Sequence, residues 1–253
     1  MYYIPNKLFY MAVPKTGSTA ITNHLNKVFD YKGVKCVKTK SEECSHHPTI
    51  WDIDRRMAEE NFFCTVVRNP YSRFVSHYFY SLHIVECWEK YKCTPSGKKI
   101  IDEWNGSMEE LAQFKKDKPG RIDLQKNIFL KGPNKYYEGL KSSLSGVNSF
   151  KDYVHKFYEE DFYQNGTCKL VHQVVFTHFC WNYDGPKMDF IGKMEDLQGS
   201  CDYICKELNI DSKKLPYLNK SKHKHWSEYY DHDTRKIIGL IYDMDFKYFG
   251  YEK

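Results

Sequence analysis

Hydrophobic residues along this chain fall into short continuous runs, separated by stretches in which they recur every three or four positions. Leu8-Phe9-Tyr10-Met11-Ala12-Val13 is one such run, stopped by Pro14 and Gly17 and followed from Ser18 to Phe29 by an amphipathic spacing. A run of that length bounded by turn residues predicts a buried strand, and the periodic stretch after it predicts a helix. A second strand is predicted over Val34–Val37, then a polar segment with Cys44, Ser45, His46 and His47, then a helix from about Thr49 to Glu60. The third run, Phe62–Val67, ends at Arg68. Asn69 is a capping residue and Pro70 a first-turn residue, so a helix is predicted from Tyr71 to about His83. Strands alternating with helices predict the α/β class, a three-layer fold with a central parallel sheet flanked by helices.

From about residue 84 to 146 the pattern weakens, with Gly97, Gly106, Pro119, Gly120, Gly132 and Pro133 punctuating a Lys-rich stretch. It reads as an irregular helical insertion or lid on the sheet. Regularity returns with a helix near Ser149–Glu160, a strand ending at Asp189-Phe190-Ile191-Gly192, a helix over Glu195–Leu208 and a last helix over about Ser227–Asp243. No internal repeat is visible, and a single domain over residues 1–253 is expected.

Composition narrows the class. The chain has 253 residues, 41% hydrophobic and 17% aromatic, enough for a real core and unlike a disordered or collagen-like sequence. A net charge of +5 favours anionic ligands without the strongly basic balance of a nucleic-acid-binding domain, and the Tyr-rich segments lack an RNP-like pattern. No stretch approaches the ~18 apolar residues of a membrane span, and the start lacks a basic segment followed by an apolar one. A cytoplasmic chain is therefore expected, with the Golgi lumen as the alternative. Nine cysteines, none paired at the two-residue spacing of a zinc knuckle, fit reduced thiols. Cys87/Cys93, Cys168/Cys180 and Cys201/Cys205 are close enough to bridge in an oxidising compartment, and sequons at Asn105, Asn165 and Asn219 point the same way.

Two segments carry candidate chemistry. Val13-Pro14-Lys15-Thr16-Gly17-Ser18-Thr19 lies between a predicted strand and a predicted helix. Amides at a helix start lack intrahelical partners and sit at the positive end of the dipole, so they bind anions. Gly17 lets a phosphate approach, Thr16, Ser18 and Thr19 offer hydroxyls, and Lys15 offers a charge. The ATPase P-loop is a different motif, with its Lys after the second Gly of a longer run. The second segment, Arg68-Asn69-Pro70-Tyr71-Ser72-Arg73-Phe74-Val75-Ser76, follows the next strong strand. Ligands of open α/β sheets bind outside the strand ends, so Arg68 and the Lys15 loop are expected to face one nucleotide, with Ser76 adding a hydroxyl.

These two segments resemble the sulfotransferases that use 3'-phosphoadenosine 5'-phosphosulfate (PAPS), and especially their carbohydrate branch. Pro14–Thr19 is similar to the family's 5'-phosphosulfate loop, and Arg68 with Ser76 matches the spacing of its 3'-phosphate site. Phe190-Ile191-Gly192-Lys193-Met194-Glu195-Asp196-Leu197, Leu218-Asn219-Lys220-Ser221 and the closing Asp245-Phe246-Lys247-Tyr248-Phe249-Gly250-Tyr251 fit as well. The resemblance implies transfer of a sulfuryl group from PAPS to a hydroxyl or amine of a carbohydrate or other small acceptor, releasing adenosine 3',5'-bisphosphate. Lys15 would hold charge on the departing phosphate, with Thr16, Gly17, Ser18 and Thr19 around the 5'-phosphate and no metal required.

For the base, His47 is preferred over His46, because histidine accepts a proton near neutral pH and the loop precedes Arg68 by about the family's interval. Cys44 beside the two histidines does not make a metal site, since adjacent histidines cannot easily ligate one ion. Ser221 and Lys222, in the basic run Lys220–His225, are further candidates for the cofactor's 3'-phosphate. Glu195 is read as structural, orienting a loop or capping a helix. The competing readings are an ATP-dependent P-loop-like kinase and a non-catalytic module binding a nucleotide or sulfated glycan; neither a well-placed P-loop lysine nor a strand-end acid for magnesium supports the kinase.

Overall fold

The fold comes from a computed structural model that describes residues 2–29, 37–38, 44–45, 55–92, 135–159, 181–182, 185–186, 188–216 and 223–253. Strand β1 (Tyr2–Ile4) turns back into β2 (Leu8–Met11), and helix α1 (Ser18–Val28) follows. β3 (Val37–Lys38) and β4 (Cys44–Ser45) form their own two-stranded sheet. Helix α2 (Arg55–Glu59) leads into β5 (Phe62–Val67), from which the long α3 (Pro70–Lys92) departs. α4 (Lys135–Leu144), α5 (Phe150–Lys156) and a second small pair, β6 (Trp181–Asn182) with β7 (Gly185–Pro186), come next. β8 (Phe190–Lys193) passes through a 3-10 turn at Met194–Asp196 into α6 (Leu197–Glu207). A further 3-10 turn, Trp226–Tyr229, precedes α7 (His232–Ile241) and α8 (Asp243–Phe249).

The main sheet has the order β1-β2-β5-β8. β2, β5 and β8 are parallel, in the registers Leu8↔Phe62 and Cys64↔Phe190, and β1 is antiparallel to β2. The expected central parallel strands are present, and β1 adds an antiparallel edge because the three residues between β1 and β2 are far too few for a parallel crossover. Side chains alternate across it. Leu8, Tyr10, Cys64 and Val66 pack with Ile21 and Leu25 of α1 and Ile204 and Leu208 beside α6. Phe9, Met11, Phe63 and Val67 face the other way, toward Ala58 and Phe249. Burial on both faces explains why these strands read as unbroken apolar runs. A third cluster joins α3, α5, α7 and α8 through Tyr71, Phe74, Phe150, Tyr153, Ile238 and Phe246.

Several boundaries differ from expectation for local reasons. The strand predicted at 34–37 is described only at Val37–Lys38, and it pairs antiparallel with Cys44–Ser45 rather than joining the sheet. The helix predicted to stop near His83 continues to Lys92, since no Gly or Pro interrupts it, so residues 84–92 belong to α3 rather than to the insertion. Asn69 caps α3 as expected, its side-chain oxygen accepting from the Ser72 amide at 3.2 Å. α6 starts at Leu197 because Asp196 accepts from the Gly199 amide at 3.0 Å. The single last helix is three pieces: Asp231 starts α7 by accepting from the Thr234 amide at 2.8 Å, and α8 begins after Tyr242. No helix among the described residues is long and apolar enough to cross a membrane.

Candidate active site

Between β2 and α1 the chain takes two left-handed residues, Lys15 at φ 68° and Gly17 at φ 75°. Thr16 between them is fully buried, and its hydroxyl donates to the Val13 carbonyl at 2.9 Å. That proton therefore braces the loop, and a phosphate would meet Thr16 through its backbone. Gly17 is the cap residue of α1, and the amides of Ser18 and Thr19 after it make no intrahelical bond. A Cβ on Gly17 would come within 2.7 Å of Met194 Sδ and 2.8 Å of Leu197 Cδ2. Glycine is needed here for its φ and for packing against the start of α6, as well as for leaving room for an anion.

Arg68 lies at the end of the neighbouring parallel strand and reaches back to this loop. Its Nη1 donates to the Lys15 carbonyl at 3.1 Å and its Nε to Ser72 Oγ at 3.0 Å. It is half-buried, not simply solvent-facing, and its Nη2 group remains available to an anion. Arg73, 2% exposed, donates from Nε to the Pro14 carbonyl at 3.2 Å. Two arginines from the first turns of α3 and its approach thus hold the two carbonyls of Pro14-Lys15.

The Lys15 ammonium sits 3.8 Å from the centre of the Tyr80 ring. Burial, then the charge of Arg68, lowers its pKa to about 7. Ser72, Ser76 and Tyr80 succeed each other at four-residue intervals on one stripe of α3, and Arg68, just before the helix, joins its lower end by donating to Ser72 Oγ. One end of the stripe holds the Lys15 carbonyl and the other holds its ammonium. Ser76 lies between them, 4% exposed. His77, one position on, is buried with Nδ1 2.8 Å from the Tyr153 hydroxyl. Burial, then the charges of Lys15 and Arg73, holds its pKa well below the usual value, so it is neutral.

The acid of the site is Glu195, just beyond β8. One carboxylate oxygen accepts from the Asn69 amide at 2.8 Å and the other from the Tyr251 hydroxyl at 2.9 Å. Glu195 therefore secures the approach to α3 from another strand, which is the structural role expected of it. Tyr251 reaches it because Gly250, at φ 64°, reverses the chain after α8. Lys193 lies over the Tyr251 ring at 4.6 Å.

Lys15, Thr16, Gly17, Ser18, Thr19, Arg68 and Ser76 are brought to one end of the parallel strands. His46, His47, Ser221 and Lys222 lie outside the described residues. The basic run is described from His223, which stacks on Phe79 at 5.2 Å. This sets its described end beside the third turn of α3. Arg73, Tyr80 and the tie from Glu195 were not singled out from sequence. The four-residue spacing from Ser72 is the one signal for Tyr80; Arg73 acts on a backbone carbonyl, and Glu195, read as structural, meets its partners Asn69 and Tyr251 only in the fold.

Lys15, Arg68 and the helix-start amides of Ser18 and Thr19 are the groups here whose chemistry could hold a multiply charged anion. A family model described as "Sulfotransferase family" matches residues 5–252. No curated protein and no solved structure matches the chain.

Proposed function

Since the chain belongs to the sulfotransferase family, we propose that it moves the sulfuryl group of PAPS to a hydroxyl or amine of a carbohydrate or other small acceptor. The observation that carries this reading is the hydrogen bond from Arg68 to the Lys15 carbonyl, which makes two anion-binding strand ends one unit. PAPS carries phosphates at two ends of its nucleoside, and the cradle offers two separate cationic groups. The amides of Gly17, Ser18 and Thr19 and the Lys15 ammonium would hold the 5' end, with Thr16 shaping the loop. Arg68 Nη2 and Ser76 would hold the 3'-phosphate, joined by Ser221 and Lys222 from the basic run.

When bound, PAPS supplies an activated sulfuryl group and leaves as adenosine 3',5'-bisphosphate. Lys15 acts on the oxygen that carries new negative charge as the bond to sulfur breaks, a contribution largest in the transition state. His47, or His46 beside it, takes the acceptor proton. The whole chain acts as one domain, with residues from about 84 to 146 shaping the acceptor site.

Thermal denaturation with two nucleotides tests the reading. Adenosine 3',5'-bisphosphate at 100 times its dissociation constant stabilises the native state by about 2.7 kcal/mol, which raises the melting temperature by roughly 5–10 °C for a chain of this size. ADP, which lacks the 3'-phosphate, should raise it far less at the same concentration. Equal shifts, or a larger one with ADP and magnesium, would replace this reading with the kinase one.

A further inference from the structure

Two turns along α1 from the cradle's loop, a second cluster joins two helices. We propose that His24 of α1 and Cys201 and Cys205 of α6 form a binding site for a zinc ion. Cys201 and Cys205 are four residues apart, so their thiols share one helix face. His24 meets that face: its Nε2 is 3.5 Å from Cys205 Sγ, and the three ligand atoms all lie within 4.8 Å of one another. For Zn–S of about 2.3 Å and Zn–N of about 2.0–2.1 Å, a tetrahedral ion sets N and S about 3.5 Å apart and two sulfurs about 3.8 Å apart. One edge of the site already has its length, and side-chain rotation closes the others.

The donor set selects the metal. Two thiols and an imidazole suit zinc rather than magnesium or calcium, which take oxygen ligands. All three side chains are buried, the thiols completely and His24 to 5% exposure. Without metal both cysteines are free and buried, a setting that favours the uncharged thiol. Binding releases both thiol protons to solvent, and Zn²⁺ with two thiolates and one neutral imidazole is again uncharged, so no net charge is buried.

The cluster lies outside the anion cradle but bears on it. Gly17 caps α1, and α6 starts at Leu197, whose side chain packs on Gly17. A metal joining His24 to Cys201 and Cys205 would pin the two helices that meet there.

The test uses the full chain, reduced and stripped with a chelator, then titrated with Co²⁺ and with Zn²⁺. One equivalent of Co²⁺ should bind with thiolate-to-cobalt absorption in the near ultraviolet, and Zn²⁺ should displace it and raise the melting temperature. Zn²⁺ affinity should rise about 100-fold per pH unit near neutrality, because two protons leave. Cys201→Ser, Cys205→Ser and His24→Gln should each weaken Zn²⁺ binding by more than about 100-fold, whereas Cys87→Ser should not. Circular dichroism identifies any variant that fails to fold; His24→Gln leaves both thiols in place and decides the matter if the serine variants do not fold. Absence of Co²⁺ uptake by the unsubstituted chain, or an absorption band that survives in folded His24→Gln or in the Cys201→Ser/Cys205→Ser pair, overturns the site. So does a Cys201–Cys205 disulfide formed in preference to metal binding.

Discussion

The carbonyl oxygen of Lys15 accepts a hydrogen bond from Arg68 Nη1 at 3.1 Å, across 53 residues of chain. The loop after β2 and the exit of β5 are thereby fixed to each other, and the Lys15 ammonium rests on Tyr80, three turns up the helix that Arg68 introduces. Perturbing either residue should be felt at the other.

Arg68→Ala should weaken binding of adenosine 3',5'-bisphosphate by about 10- to 150-fold, the loss of a charged hydrogen-bond donor worth roughly 1.5–3 kcal/mol. Arg68→Lys should recover little, because an ammonium cannot serve Ser72, the Lys15 carbonyl and a phosphate at once. Calorimetry decides it; unchanged affinity in Arg68→Ala would remove the residue from the nucleotide site.

Lys15 should impose a pH dependence. Its pKa of about 7 means that the protonated form needed to meet a departing phosphate is lost as pH rises through that value. kcat/KM for PAPS should therefore fall above pH about 7, while the break in kcat moves higher because a bound anion favours the charged lysine. Lys15→Arg should abolish the break. The same shift acts on stability with a definite sign: between pH about 7 and the ordinary lysine value of 10.5 the unfolded chain binds more protons, so this group makes stability rise with pH there. In Lys15→Met that slope should disappear from chemical denaturation measured across the window. A flat kcat/KM profile from pH 6 to 9 in the unsubstituted enzyme would contradict the assigned role.

Gly17→Ala should lower the melting temperature by roughly 2–8 °C, from about 1–2 kcal/mol for placing a side chain in left-handed backbone. The new Cβ also presses on Met194 and Leu197. Gly17→Ala combined with Met194→Ala should retain the backbone penalty even where the clash is relieved. Calorimetric scanning and nucleotide titration check both effects, and a variant with unaltered melting and binding would show that neither φ nor packing constrains this position.

His47→Ala should reduce turnover by about 10²–10⁴-fold with nucleotide affinity intact, the usual contribution of a general base. His46→Ala is its partner measurement, since neighbouring loop residues point in different directions. Loss confined to His46→Ala would move the role one residue; full activity in both would place the base elsewhere. His77 has a different role, its Nδ1 lying 2.8 Å from the Tyr153 hydroxyl in the helix cluster.

Much of the scaffold was legible because its causes are local. Leu8–Val13 and Phe62–Val67 are apolar on both faces, so their burial between two layers was written in composition alone. Asn69-Pro70 announced the start of α3, and the first-turn amides of α1 followed from the break at Pro14 and Gly17. Where reading failed, the deciding contact was tertiary or the terminator was misplaced: α3 ran on to Lys92 without a breaker, and β1 closed the sheet as an antiparallel edge too short to register as a strand.

The sequence by itself determined that a glycine-containing loop with a lysine follows β2 and that an arginine follows β5, since each is a contiguous set of residues. Only the tertiary structure decided how they combine. Glu195 reaches the Asn69 amide across 126 residues, Arg73 reaches the Pro14 carbonyl across 59, and Cys205 meets His24 across 181. Periodicity reports which face of a segment is buried, but not which distant segment covers it. That choice follows from sheet order and helix packing, which bring together groups that no local spacing relates.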